Sequence, residues 1–317
     1  MPVTDAPPDA PTRTGPAPGT RPPRGRSRRG APVPWWFVLP AAAFFAFVVL
    51  VPSAQGAWFA FTDWDGLARE RPFVGLERFR EVLDDQDARA AVGTTLLIAV
   101  AVTVVQNLIG LLLALGLHSA VKSRDLLRVL FFVPAVITPV VAAYLWRYLY
   151  APRGAVNAVL ETVGLGFLRQ DWLGDSSIAL WSVVVVVIWQ FAGMSMVIFL
   201  AGLQTVPKEL HEAAAVDGAG PLRRFWNVTR PMLAPAITIN LMLSVIGGLK
   251  LFDQVWVMTR GGPGGATDTL STVIYREAFQ FSEFAYSTAL ALVLTGFVIV
   301  LSAVQYGYLR REERKTA

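Results

Sequence analysis

Residues 176–206 read SSIALWSVVVVVIWQFAGMSMVIFLAGLQTV, a stretch without a single charged side chain. About 20 consecutive apolar residues are enough for an α-helix to cross the hydrocarbon core of a bilayer, which is about 30 Å thick. All-apolar helices also occur in the cores of large soluble proteins. The stretch therefore predicts a transmembrane helix if enough similar segments accompany it in the chain.

Five further stretches of this kind occur along the chain, and together they predict an all-α integral membrane protein. Only 16% of the 317 residues are charged, whereas soluble domains average about 25%. The remaining polar chain is too short to cover a soluble core built from six such helices. The six predicted transmembrane spans are, approximately, residues 36–58, 92–117, 129–150, 177–202, 231–256 and 286–309.

The residue composition excludes several kinds of site. Cysteine is absent and only His118 and His211 are present, so neither disulfides nor a Cys/His metal cage can support the fold. The formal net charge of +5 could indicate a nucleic-acid partner. However, the basic residues flank apolar runs, which indicates membrane topology instead. We therefore expect no metal site and no nucleic-acid partner.

Residues 1–33 and 312–317 are predicted to be tails. The first segment holds many prolines and six arginines with almost no large apolar side chains, a composition typical of a disordered tail. A cleavable signal peptide is the alternative. The long apolar stretch that follows, with Trp35 and Trp36 at its start, is more typical of an interfacial anchor than of a cleavage region.

Lysine and arginine in the connections predict the orientation of the spans. The two tails and the connections around residues 118–128 and 203–230 hold 17 basic residues, and the alternate connections hold 10. Cytoplasmic loops carry the excess of these residues, so both termini are predicted to be cytoplasmic. The connection 59–89 then lies outside, where mixed charges and aromatic residues predict a small cap with an amphipathic helix near Leu76 to Leu83.

The connection 207–230 has the pattern of two short helices. Pro207 fits a helix start, glutamates follow, three alanines continue the helix, and Gly218 marks its end. A second short helix, from Leu222 to Val228, precedes Pro231. Small side chains on the first helix would let another protein approach closely, although an interfacial helix on lipid would have the same pattern.

These residues resemble the EAA loop of ABC importer permeases, in which a short helix couples to the ATPase. The resemblance is carried by Phe225, Pro231 and six residues predicted to couple to the ATPase: Glu212, Ala213, Ala214, Asp217, Gly218 and Ala219. It implies the type I ABC importer permease fold with a cytoplasmic coupling helix. Arg230 departs from the family, which usually has leucine there.

The segment from Phe252 to Thr259, followed by Gly261-Gly262-Pro263, resembles carbohydrate importers of the maltose and glycerol-phosphate type. The C-terminus resembles that of the first permease of a pair. The resemblance implies a location in the cell membrane and uptake of a sugar or related polyol. It also implies a second homologous permease, two ATPase subunits and an extracellular solute-binding protein as partners.

Polar groups within the predicted spans are candidates for a substrate path or for hydrogen bonds between helices. Amides and hydroxyls bind sugar hydroxyls, and aromatic rings stack on sugar rings. The family resemblance places the sugar between the fourth and fifth spans. The predicted path residues are Trp189, Gln190, Phe191, Met194, Asn240, Ser244 and Gly248.

Three further polar residues have alternative roles. Gln106 and Asn107 are adjacent amides, which cannot both face one pore, and interhelical hydrogen bonding is the favoured interpretation. Lys250 could extend to lipid headgroups, pair with Asp253 or contact substrate.

Enzymes and ion-coupled carriers are the competing classes of function. The spans contain no histidine or cysteine, and their charge-free runs, including 129–146 and 231–249, contain no acid to act as base or nucleophile. Lys250 directly follows the second of these runs and is the ionisable group predicted to be buried. The chain also lacks a G-x-x-x-x-G-K-[ST] phosphate loop. We therefore expect no cofactor on this chain and ATP-Mg on a partner ATPase, with a secondary transporter or channel as the alternative function.

Overall fold

The computed structural model describes residues 35–119 and 122–316, and the predicted tail 1–33 lies outside them. The described residues are helical apart from turns, loops and one isolated bridge between Thr62 and Phe73. The α-helices in chain order are α1 (Leu39–Phe45), α2 (Val51–Phe59), α3 (Glu77–Asp84), α4 (Gln86–His118), α5 (Arg124–Val136), α6 (Pro139–Leu149), α7 (Ala155–Thr162), α8 (Ala179–Gln204), α9 (Lys208–Val216), α10 (Pro221–Arg224), α11 (Arg230–Met232), α12 (Ala234–Leu249), α13 (Asp253–Met258), α14 (Leu270–Phe279) and α15 (Phe284–Thr316).

The chain divides into two compact units at Val51 and Pro52. The first unit contains a 3₁₀ turn (Trp35–Val38), α1 and a π-helical segment (Ala46–Leu50). A proline at position 52 has no N–H to donate to the carbonyl four residues earlier, and the wider π turn lies directly before it. The segment Trp36–Phe59 is 24 residues long and apolar enough to cross a membrane.

Four helical segments of the described chain are long and apolar enough to cross a membrane. Besides Trp36–Phe59 they are Gln86–His118, Ala179–Gln204 and Phe284–Arg311, which overlap the predicted spans 92–117, 177–202 and 286–309. Two bent helix pairs satisfy the same criteria together, so the described residues contain four candidate spans, or up to six.

The region predicted as one span over 129–150 is broken in the structure. Helices α5 and α6 meet at an angle of 98°. Ile137 and Thr138 between them have extended backbone, with ψ angles of 133° and 144°. A residue before proline is disfavoured in the helical region, and Pro139 lacks an N–H, so the helix ends before Thr138 and restarts at Pro139.

The region predicted as one span over 231–256 is also divided. Helix α12 is bent by 71° from the helical segment Pro221–Met232, and it ends at Leu249 instead of residue 256. Pro235 has no N–H for the carbonyl of Pro231, which favours the bend at Leu233. Two consecutive glycines, Gly247 and Gly248, weaken the helix near its end, and α13 then forms a separate helix.

Helices α4, α8 and α12 form the centre of the second unit. One apolar core joins α4, α6, α8 and α13 and includes Ile98, Val183, Val186 and Val255, all of which are buried. A second core joins α4, α8 and α12 further along the helices, around Met196 and Phe199. Because α8 contacts both cores, the positions of its side chains fix the geometry of the region between them.

The predicted cap 59–89 contains α3, whose bounds Glu77–Asp84 lie one residue from the predicted helix. Val82 is its buried apolar residue, and Arg78 pairs with Asp63 and, at 2.7 Å, with Glu81. The backbone N–H of Ala285, in the first turn of α15, donates to the carbonyl of Trp64. The segment is therefore attached to the start of α15.

Candidate functional site

A cavity of about 320 Å³ lies between α4, α8 and α12. Polar side chains from each of these helices line it, and the apolar part of the wall includes aromatic and methionine side chains. The lining residues discussed below are Gln106, Phe191, Met194, Ser195, Asn240, Ser244, Gly247, Gly248, Lys250, Leu251 and Phe252. Such a wall can bind a ligand by uncharged hydrogen bonds and ring contacts.

Hydrogen bonds between the three helices fix the polar part of the wall. Gln106 Nε2 donates to Ser195 Oγ at 2.9 Å, and Asn107 Nδ2 donates to Ser244 Oγ at 2.8 Å. Asn240 Nδ2 donates to the Ser195 carbonyl at 3.1 Å. The adjacent amides of Gln106 and Asn107 therefore both bond to other helices, and the Gln106 side chain also reaches the cavity.

Gly248 allows α12 to approach α4 closely. A Cβ atom at this position would lie 2.7 Å from the Cα atom of Ala99, closer than side chains tolerate. A Cβ at the neighbouring Gly247 would meet no atom within 4 Å. Of the two glycines, Gly248 is therefore the one required for helix packing. The close approach that it allows keeps Ser244 and Asn240 within reach of α4 and α8.

The structure brings together five of the seven predicted path residues around this cavity: Phe191, Met194, Asn240, Ser244 and Gly248. The other two lie elsewhere. Trp189 lines a different cavity between α5 and α8 and packs against Trp146 with ring centroids 5.3 Å apart. Gln190 is fully buried, and its Nε2 donates to the carbonyl of Ile137 at 2.8 Å.

Ser195 lines the cavity but is not among the path residues predicted from the sequence. It follows Phe191 by four positions, and residues four apart share one face of a helix. The same spacing includes Val187, which also lines the cavity. Helical periodicity around Phe191 could therefore have identified Ser195 and placed Trp189 on another face.

Lys250 lines the cavity directly after the end of α12. Its side chain is exposed, and the described residues include no ion pair between Lys250 and Asp253. The charge therefore lies at the mouth of the cavity and not among the amides and hydroxyls of its wall.

The segment that resembles the EAA loop ends its first helix with a defined backbone motif. Gly218 has a φ of +74°, and its N–H donates to the Ala215 carbonyl at 3.1 Å. The N–H of Ala219 donates to the Ala214 carbonyl at 2.9 Å. These two bonds form a Schellman motif, which satisfies carbonyls at the helix end and reverses the chain.

The side chains around this motif form an exposed surface. Glu212, Ala213, Asp217 and Gly218 are exposed, and Ala214 and Ala219 are half-buried. Val216 is 88% exposed. The second predicted helix, from Leu222 to Val228, is present as α10 followed by a π-helical turn, Phe225–Thr229. The surface therefore has small side chains beside charges and the exposed apolar side chain of Val216.

Comparison with known proteins gives concordant results. The family model for binding-protein-dependent transport system inner membrane components matches residues 106–314. The multiple sugar-binding transport system permease protein MsmF of Streptococcus mutans is 31% identical over 86% of this chain and 93% of its own length. The sn-glycerol-3-phosphate transport system permease protein UgpA of Yersinia pestis is 32% identical over 89% of this chain and 95% of its own.

A solved structure has the same fold. It is a bacterial alginate ABC transporter in complex with an alginate pentasaccharide-bound periplasmic protein. The matching chain superimposes with a TM-score of 0.76 at 23% identity, covering 87% of this chain and 93% of its own. The family predicted from the sequence is confirmed: this chain belongs to the binding-protein-dependent transport system inner membrane components, the permeases of ABC importers.

Proposed function

We propose that this chain forms half of the path by which an ATP-driven importer carries a carbohydrate, or a related polyol or glycerol phosphate, across the cell membrane. The observation that carries the proposal is the cavity between α4, α8 and α12. Its wall combines the uncharged polar groups of Gln106, Asn240 and Ser244 with the ring of Phe191. This combination suits a ligand with many hydroxyl groups and an apolar ring face.

The transport systems to which the relatives belong support this substrate class. MsmF belongs to a multiple sugar-binding transport system, UgpA to an sn-glycerol-3-phosphate transport system, and the superimposed structure to an alginate transporter. The three substrates share a polyhydroxylated carbon skeleton. Hydrogen bonding by amides and hydroxyls is the recognition that all three would require.

In the proposed topology the chain crosses the membrane six times with both termini in the cytoplasm. Four unbroken candidate spans and two bent pairs support six crossings. The excess of lysine and arginine in the tails and in the connections around 118–128 and 203–230 supports the orientation. Lys250 and α13 then lie towards the outside, and α9 lies in the cytoplasm.

We assign the coupling function to the segment 207–230. The short helix α9 ends in an exposed Schellman motif, so Glu212, Ala213 and Asp217 are available to a partner. In the proposed assembly they contact one of two ATPase subunits, which bind and hydrolyse ATP-Mg. A second homologous permease completes the path, and an extracellular binding protein delivers the substrate.

The test is ATP-dependent uptake in proteoliposomes that contain this chain with its co-expressed permease, ATPase and binding-protein partners. A panel of labelled mono-, di- and trisaccharides, polyols and glycerol 3-phosphate serves as the probe. We expect uptake of at least one carbohydrate that requires ATP and the binding protein. Uptake of none of them, or uptake driven by an ion gradient without ATP, would exclude the proposed function.

A cavity variant tests the site itself. Ser244→Ala removes a donor and acceptor between α4 and α12 and from the cavity wall. A lost hydrogen bond of this kind costs about 1 to 3 kcal/mol, so uptake at limiting sugar should fall by about 5- to 150-fold. Ser287→Ala, on α15 and outside the cavity lining, is the matched control, because the buried Ser287 Oγ donates to the Phe284 carbonyl at 2.9 Å.

A further inference from the structure

Gln190 connects three separate parts of the second unit through its side-chain amide. Its Nε2 donates to the Ile137 carbonyl, at the break between α5 and α6, at 2.8 Å. Its Oε1 accepts from Nε2 of Gln254, in the first turn of α13, at 2.9 Å. Gln190 itself lies on α8, is fully buried, and does not line the cavity.

The Ile137 carbonyl needs this donor because of the helix break. The backbone N–H of Ala142 bonds to Thr138, so the hydrogen-bond ladder of α6 starts one residue after Ile137. Ile137 is half-buried, and a carbonyl without a partner is costly within a membrane. Gln190 therefore stabilises the extended backbone at this break.

The second bond of Gln190 acts on the outer end of the cavity. Gln254 is 2% exposed and follows Lys250, Leu251 and Phe252, three consecutive cavity-lining residues without helical structure. The carbonyl of Leu251 is held separately by Thr269 Oγ1 at 3.0 Å. The lining segment is thus fixed on one side by α8 and on the other by the start of α14.

We propose that Gln190 and Gln254 form a positioning pair that holds residues 250–252 in the substrate-binding arrangement. The inference rests on the proposed carbohydrate transport, since it assigns a role within that cavity. Without the pair, α13 and the lining segment sample other positions, and the binding-competent arrangement is populated for a smaller fraction of time. The apparent affinity for sugar falls in proportion to that fraction.

The two buried amides offer a test that separates positioning from stability. Gln190→Met leaves both Ile137 and Gln254 without partners and should lower the thermal stability of the complex. In the double variant Gln190→Met/Gln254→Met one of these unpaired groups is removed, so stability should partly recover. The apparent KM for the imported sugar should nevertheless stay about tenfold above that of the unmodified complex, with little change in maximum rate.

A conservative variant should rescue transport. A glutamic acid at this depth stays neutral because burial disfavours the carboxylate, and a neutral carboxyl can donate to Ile137 and accept from Gln254. Gln190→Glu is therefore expected to keep a KM within about twofold of the unmodified complex. Asn157→Leu is the control for destabilisation alone, because it removes a buried amide with hydrogen bonds remote from the cavity.

The outcomes distinguish a failure of the proposed transport function from a failure of the positioning role of Gln190 and Gln254. If the unmodified complex imports none of the labelled carbohydrates, the proposed function fails and this inference fails with it. If it imports one and the double methionine variant has an unchanged KM, the pair only stabilises the fold and the inference is overturned. An equal rise in KM for Asn157→Leu would overturn it as well.

Discussion

Gly218 is the residue at which the proposed coupling segment is most sensitive to a small change. Its φ of +74° is disfavoured for residues with a Cβ, whereas an added Cβ would meet no atom within 4 Å. Within this chain, any effect of Gly218→Ala therefore comes from backbone conformation and not from a steric clash. The position is exposed, so the substitution changes no surface that this chain itself buries.

The expected magnitude follows from this conformation. An L-residue in the left-handed region is penalised by about 1 to 2 kcal/mol, which is about a 5- to 30-fold shift between the Schellman arrangement and other ends of α9. Gly218→Asn should cost less, because asparagine tolerates positive φ. Gly218→Val should cost most, because its side chain is β-branched.

The assay is the ATPase rate of the reconstituted complex with and without substrate-loaded binding protein. Stimulation should decrease in the order Gly, Asn, Ala, Val, while the thermal unfolding temperature changes little. Gly220→Ala is the matched control, since Gly220 has a φ of −67° and an added Cβ there also meets no atom within 4 Å. Normal stimulation in Gly218→Val, or equal losses in Gly220→Ala, would refute this account of coupling.

Three further outcomes are expected. Gly248→Ala should destabilise the complex by about 1 to 3 kcal/mol by pushing α12 from α4, while Gly247→Ala, with no atom near its added Cβ, should have little effect in the same unfolding assay. A cysteine at Ser123 should react with an impermeant maleimide only from the cytoplasm and one at Ala266 only from outside; the reverse pattern would invert the topology. Burial, with repulsion from nearby acids, raises the pKa of Glu277, so its contribution to stability should fall as pH rises through that pKa, and Glu277→Gln should flatten this decline.

The positions of the long helices could be predicted from the sequence, because the length of a run without charged residues is read from consecutive residues and does not depend on distant contacts. The helix breaks were only partly predictable. A proline at position 139 disfavours helix at Thr138, which the sequence alone reveals, but the 98° angle depends on how α5 and α6 pack against α8. The separation of α13 from α12 likewise follows two glycines whose effect on a membrane helix varies with its neighbours.

The face of α8 on which a residue lies determines whether its side chain lines the cavity. Phe191, Met194 and Ser195 lie at spacings of three and four on one face of α8, and all line the cavity. Trp189 is two positions before Phe191, on a different face, and it packs against Trp146. Residue type and depth in the membrane were the basis for predicting Trp189 as a path residue. Requiring all path residues on α8 to share one helical face would have excluded it.

Gln190 cannot be assigned from local pattern at all. A glutamine in the middle of a membrane span fits equally well as a substrate ligand or as a structural hydrogen-bond donor. The structure decides between them through the Ile137 carbonyl, 53 positions away, which the α5–α6 break leaves without a helical partner. Gln254, 64 positions away, occupies the other side of the amide. Because both amide atoms are used within the protein, an effect of Gln190 on sugar binding acts through the elements that they hold, which are the α5–α6 break and α13 with residues 250–252.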